Sequence, residues 1–261
     1  MSNDHDRRFA GVARLYGPVP AARIRAAAVC VIGIGGVGSG SAEALARSGV
    51  GRLTLIDLDH IAESNVNRQI HALEPEFGRA KVAAMASRIA AINPACVVDA
   101  VEEFIDESNL AQLLARPNDV VIDAIDNVRA KAALAAHCRR AMQRLVMCGG
   151  AGGRSDPTRV QVDDLARSAG DALLSKVRAR LRKEYGFTRE ARKKLGIDAV
   201  FSAEPIVMPI AAACDRDAGH ESVAAPQGLN CAGYGSSVCV TAAFGMAAAA
   251  RALRIIVADA S

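Results

Sequence analysis

The sequence predicts an α/β fold: a doubly wound, mostly parallel, Rossmann-like sheet that continues into a C-terminal α/β elaboration. Three observations point to it. Short β-branched runs alternate with helix-forming stretches, and a glycine-rich turn follows the first run directly. The interior must also be filled mainly by Val, Leu, Ile and Ala, because 51% of the 261 residues are apolar and only 3% are aromatic. Repeated βα units of this composition bury parallel strands between two layers of helices.

The first run, AVCVIG (28–33), reads as a strand, GIGGVG (33–38) as a loop, and residues 37–47 as a helix. RLTLID (52–57) is a second strand that ends in acid, followed by the polar connection LDHIAESNVNRQIH and a helix over about 78–92 that Asn93 and Pro94 stop. Three more strands are expected at 95–101, 119–125 and 144–150, with helices near 108–115 and 127–142 between them. After GGAGGRSDPT (149–158) the character changes. A short strand-like VQV precedes a basic amphipathic stretch over 172–195, a Pro-containing segment and an apolar terminal helix, with a surface loop expected over 214–227. We read one domain over 1–261, with a nucleotide-binding core at 28–150 and a substrate-binding elaboration at 151–261.

Bulk properties narrow the function. A net charge of +4 does not by itself demand a polyanionic partner. The seven cysteines form no CxxC pair, so neither a zinc site nor a disulfide framework is signalled. The N-terminal residues carry acids and no apolar core, unlike a secretory signal, and the expectation is a cytoplasmic protein. Residues 238–258 are apolar enough to raise membrane association, but Arg251 and Arg254 interrupt them and small residues dominate, which favours a buried helix.

GIGGVG matches G-x-G-x-x-G straight after a strand, so Gly33, Gly35, Gly36 and Gly38 let backbone N–H groups approach a phosphate at a helix N-terminus. Asp57, about twenty residues on, is placed for ribose hydroxyls. On these two features alone a nicotinamide dehydrogenase is the favoured reading. The next layer argues against it: SNVNRQ (64–69), Lys81 and DAIDN (123–127) supply cations and a carboxylate that hydride transfer has no use for. A carboxylate attacking the α-phosphate of ATP builds negative charge that Arg68, Lys81 and a magnesium ion on Asp126 would neutralise. Taken singly, Lys81 and Arg68 read equally well as surface charges, and Asp126 as a helix cap.

Together, GIGGVG, LIDLD, SNVNRQ, GRAKV and DAIDN resemble the nucleotide site of the ubiquitin-activating-enzyme superfamily, over roughly residues 28–150. The resemblance implies that Asp57 and Asp59 border ribose and metal, that Asn65 and Lys81 bind phosphates, and that Asp126 holds magnesium. It adds Gln69 and Asn127 to the nucleotide-binding set. It places Arg68 in the site of a partner subunit, hence a homodimer, and it allows a monovalent cation whose ligands the sequence does not name. RRFAGVARLYG, NRQIHAL, GGAGG with DPT, KLG with VFSAEP, and NCAGYGS extend the similarity nearly end to end, to the tRNA threonylcarbamoyladenosine dehydratases. The alternative within the superfamily is an adenylyltransferase for a ubiquitin-like sulfur carrier or a sulfur-transfer accessory protein. Enzymes of that kind usually carry two CxxC pairs, and this chain has none.

That resemblance implies ATP-dependent cyclisation of threonylcarbamoyladenosine in tRNA, through adenylation of the threonyl carboxylate. The stretch 176–194 carries nine Lys or Arg against two Glu and is expected to contact tRNA phosphates, with Tyr185 and Phe187 available to stack a base, unless it is only a solvated helix face. Cys231, beside a glycine-rich turn, completes the candidate catalytic set of Arg68, Lys81, Asp126 and Cys231, and relatives' links to sulfur transfer imply cysteine-desulfurase-type partners. A buried, inert thiol is the alternative there, as it is for Cys148, which ends a strand beside GGAGG. His71 reads as a packing residue.

Overall fold

A computed structural model of the chain describes residues 4–190, 193–207 and 234–258. Seven strands, β1 (Ala28–Ile32), β2 (Arg52–Ile56), β3 (Val97–Val101), β4 (Val120–Asp123), β5 (Leu145–Cys148), β6 (Val160–Asp164) and β7 (Asp198–Ser202), form one sheet in the order β3-β2-β1-β4-β5-β7-β6. Every neighbouring pair is parallel except β6 with β7. The strand order reverses between β1 and β4, which opens a crevice at their carboxyl ends where ligands bind in folds of this type.

The helices are α1 (Asp4–Tyr16), α2 (Pro18–Ala26), α3 (Gly36–Arg47), α4 (Lys81–Ile92), α5 (Leu110–Leu113), α6 (Val128–Arg140), α7 (Ala172–Glu184) and α8 (Val238–Ala258). Alternation along β1 splits the core in two. Val29 and Val31 pack with residues of α3, α4 and α8 on one face, and Cys30 and Ile32 with residues of α6 and α7 on the other. The small residues of α8 find their reason here. A Cβ on Gly245 would fall 2.5 Å from the Val37 carbonyl oxygen, so only glycine lets α8 cross α3 this closely, and Ser41 Oγ donates to the Gly245 carbonyl at 3.1 Å. α8 is long and apolar enough to cross a membrane, yet it buries Val240, Phe244, Ala248, Ala252 and Ile256 in the core.

Several elements depart from the expectation. The basic stretch 172–195 is not one amphipathic unit: α7 stops at Glu184, and Gly186 follows with a left-handed φ of 66°. β7 lies in the segment read only as Pro-containing, because its apolar core is just Ala199, Val200 and Phe201, too short a run to signal a strand by periodicity. The helix expected near 108–115 shrinks to four residues, since the Asp106 carboxylate accepts from the N–H groups of Ser108 and Asn109 and holds a turn instead. α1 and α2 were not anticipated, although acids open α1 and a proline opens α2. The surface loop expected over 214–227 lies outside the described residues.

Candidate active site

The three glycines of G-x-G-x-x-G have separate duties. Gly33 takes φ 85°, and a Cβ there would sit 2.9 Å from the Ala124 carbonyl. A Cβ on Gly38 would meet the Gly33 oxygen at 1.7 Å, so this glycine seats α3 against the turn. At Gly35 nothing lies within 4 Å, which leaves a bare backbone facing open space at the N-terminus of α3. That space is a cavity of about 250 Å³ at the sheet's switch point, bordered by Gly35, Gly36, Arg68, Asp126, Gly149 and Tyr234 among others.

Asp126 is half-buried on the cavity wall, one residue before the Asn127 cap of α6, and it does not cap that helix itself. The Asn127 side-chain oxygen accepts from Arg129 N at 2.9 Å and Ala130 N at 3.1 Å. Asn127 therefore serves the fold and does not border the cavity. Arg68 lines its own chain's cavity, with Nη1 donating to Ser64 O at 2.7 Å and Asn67 Oδ1 at 2.9 Å. The polar loop that carries it is fastened to the distant start of α8. Asn67 Nδ2 donates to Ser236 O at 3.0 Å, and Val238 N donates to Asn67 O at 3.1 Å.

Asp57, Asp59 and Lys81 form a second cluster, next to the glycine loop. Asp57 Oδ2 accepts from Ile34 N at 2.5 Å and Oδ1 from Asp59 N at 2.8 Å. About two of its four lone-pair positions stay available to a ribose. Burial raises the Asp57 carboxyl above its ordinary value, against the pull of Lys81. Lys81, almost wholly buried, donates to Asp59 Oδ2 at 2.7 Å. About two of its three N–H donors remain for phosphate. Asn65 closes a short 3-10 turn by accepting from Ala62 N at 3.1 Å. Gln69 is buried, and its side-chain oxygen has no partner among the described residues.

Other predicted roles change. Phe187 is buried beneath the Arg139 guanidinium, 4.3 Å from the ring centroid, so it cannot stack a base. Within the basic stretch, Arg178 Nη1 donates to Ser168 O at 2.7 Å and Arg182 Nε to Thr188 O at 3.2 Å. Lys176, Lys183, Arg189, Lys193 and Lys194 stay exposed. Cys148 is buried and its thiol is pushed up to about 12 by desolvation, far from a reactive thiolate. Cys231 lies outside the described residues.

Sequence reading missed two supports of the site. Lys131, fully buried on α6, donates to Asp123 Oδ1 and to Ile125 O, both at 2.9 Å, and so braces the turn that presents Asp126. Asp171, the cap of α7, accepts from Gly150 N at 3.0 Å with buried Arg154 3.6 Å away, which fixes the glycine-rich far wall. A lysine in the middle of an Ala-rich helix face that is otherwise buried was the available signal for Lys131.

No group of three or more His, Cys, Asp or Glu side chains able to hold a metal occurs among the described residues. A magnesium ion here would take one carboxylate, Asp126, with nucleotide phosphates completing its shell. That donor set suits a hard cation.

Fold and site together define a nucleotide-binding α/β protein with a phosphate cradle and a convergent arginine and carboxylate. The chain belongs to the ThiF family, whose model matches residues 6–260. It is 47% identical over 264 residues, covering all of this chain and 97% of the relative, to the Escherichia coli tRNA threonylcarbamoyladenosine dehydratase. The dehydratase of Haemophilus influenzae is 45% identical over 253 residues, covering 96% of this chain and 94% of that relative. The crystal structure of the E. coli tRNA N6-threonylcarbamoyladenosine dehydratase in complex with ATP superposes with a TM-score of 0.88 at 45% identity, covering 100% of this chain and 98% of that one.

Proposed function

We propose that this chain is an ATP-dependent tRNA threonylcarbamoyladenosine dehydratase. One observation carries the reading beyond nucleotide binding. The cavity floor is the glycine loop and Asp126, while its far wall is Gly149, Ala151, Gly152, Leu173 and residues 234–236, most of which belong to the part of the chain beyond the common nucleotide core. A substrate carboxylate entering from that wall meets the nucleotide at the switch point. The similarity to the E. coli and H. influenzae dehydratases spans both walls.

The threonyl carboxylate attacks the α-phosphorus of ATP and pyrophosphate leaves. The carbamoyl oxygen of the same substituent then attacks the activated carbonyl, a carbamoyl proton is lost, and AMP departs, so the nucleoside loses one water in all. Both reacting groups sit on one bound nucleoside, so positioning supplies much of the rate and no enzyme nucleophile is needed. Magnesium on Asp126 would neutralise phosphate charge. Arg68 and Lys81 hold the phosphates, Gly35 offers its N–H group, and Asp57 orients the ribose.

The exposed lysines and Arg189 of 176–194 contact tRNA backbone in this reading. We also take the protein to be a cytoplasmic homodimer, organised as one domain with the core at 28–150 and the elaboration at 151–261. The test is AMP release that requires both ATP and tRNA bearing threonylcarbamoyladenosine. Release with unmodified tRNA alone would contradict the reading.

A further inference from the structure

A second cavity among the described residues, about 590 Å³, lies away from the nucleotide site. It lies at the opposite, amino-terminal end of the strands, where β5 and β7 begin with Leu145 and Asp198 and where α6 and α8 end. Four arginines converge on it from three elements: Arg139 on α6, Arg144 in the turn before β5, and Arg251 and Arg254 on α8. Asp198 is the one carboxylate among its described lining residues, 2.9 Å from Arg251 Nε.

Helix dipoles account for part of this charge but not all of it. Two helix C-termini each offer roughly half a negative charge, and arginines commonly complement them. Together with Asp198 they offset about two of the three guanidiniums of Arg139, Arg251 and Arg254, so among the described lining residues a surplus of about one positive charge remains even with Arg144 left out of the count. Concavity focuses that field. Two of the forks are also held in place, Arg139 over the Phe187 ring at 4.3 Å and Arg251 against Asp198. Pre-ordered arginines at fixed spacing suit phosphate oxygens.

We propose that this cavity is a second RNA-contact site, which takes backbone phosphates of the substrate tRNA. The proposal rests on the dehydratase reading for its ligand. RNA is favoured over a small free anion by continuity: Leu195 and Gly196 line the cavity and directly follow exposed Lys193 and Lys194, so the basic stretch runs into it. Strands of four and five residues, β5 and β7, hold this end roughly 13–17 Å from the nucleotide site. Contacts there grip the body of the tRNA while the reacting nucleoside lies across the sheet.

The experiment is a titration of full-length tRNA against the intact protein at several KCl concentrations, using Arg254→Glu alone and combined with Arg144→Glu. The expected result is at least about a tenfold loss of affinity, with the slope of log K against log salt shallower by about one to two. Heat protection by ATP should be unchanged. Unchanged affinity and slope, with ATP protection intact, would overturn the proposal. Should the glutamate variants lose ATP protection, Arg254→Gln decides, since a slope unchanged in that variant overturns the proposal equally. Inorganic pyrophosphate provides the remaining arm. If it protects the wild type but not the variants while tRNA binding is unaltered, the site serves free anions and the proposal fails. Wild-type AMP release is measured separately, so a failure of the dehydratase reading stays distinguishable from a failure of this site.

Discussion

Lys131 Nζ lies 2.9 Å from Asp123 Oδ1, and both side chains are completely buried beneath the turn that carries Asp126. The pair joins strand β4 to helix α6, and the ammonium also binds the Ile125 carbonyl at 2.9 Å. Lys131→Met would strand a carboxylate in the core and cost about 3–5 kcal/mol of stability. The double variant with Asp123→Leu removes both charges and should recover part of that loss. Urea unfolding of the three proteins checks this, and equal destabilisation in the single and double variants would remove the pair from its assigned role.

The loop glycines separate binding from folding. Gly38→Ala forces a Cβ to 1.7 Å from the Gly33 oxygen and should cost about 3 kcal/mol or more. Gly35→Ala meets nothing within 4 Å, so its melting temperature should stay near wild type while the methyl group blocks phosphate and ATP affinity falls. Thermal unfolding with and without ATP reads both effects.

Arg68→Ala should retain the fold and lose turnover, with kcat falling more than ATP binding, because the guanidinium meets charge that develops in the reaction. Arg68 lines its own chain's cavity. A mixed dimer of wild-type and Arg68→Ala chains, the latter also carrying an inactivating Asp126→Asn, then separates two cases. Service within one chain predicts about half the wild-type activity, and service across the dimer predicts nearly none.

His71 is buried, and neither ring nitrogen has a hydrogen-bond partner among the described residues. Burial, with Lys81 and Arg88 nearby, lowers it from 6.5 to about 4. The folded form therefore resists the proton that the unfolded chain accepts. Stability from this source is complete above about pH 6.5 and declines as pH falls towards 4, by up to about 3 kcal/mol. His71→Leu should flatten that acid limb in denaturation curves recorded from about pH 8 to 4. A limb as steep as wild type would assign the acid sensitivity elsewhere.

Neutralising Lys193 and Lys194 should weaken tRNA binding and make its salt dependence shallower by about two, one for each phosphate that no longer meets an ammonium. Binding isotherms at three salt concentrations suffice to measure it.

The parallel sheet and the glycine cradle were legible because each is a local pattern: a β-branched run, then glycines, then a helix. The positions of Asp57 and Asp126 just past the ends of β2 and β4 were legible as well. Lys131, Asp171 and the place of residues 234–236 on the cavity wall were not, since these arise from contacts between elements far apart in the chain. Asn67 meeting Ser236 across 169 positions is one such contact. Phe187 was misread as available for stacking because a charged neighbourhood in sequence says nothing of the Arg139 that covers it. That Asn127 also caps α6 was not legible, because DAIDN reads as a site motif whose one cap reading falls on Asp126.

The central claim is dehydration of the modified nucleoside, and mass spectrometry tests it most directly. Purified protein is incubated with tRNA bearing threonylcarbamoyladenosine, ATP and Mg²⁺, and the nucleosides are recovered under conditions gentle enough to keep the strained ring closed. The expected result is a nucleoside lighter by one water, formed together with an equal amount of AMP. An unchanged nucleoside mass, from a preparation shown to bind both ATP and tRNA, would contradict it.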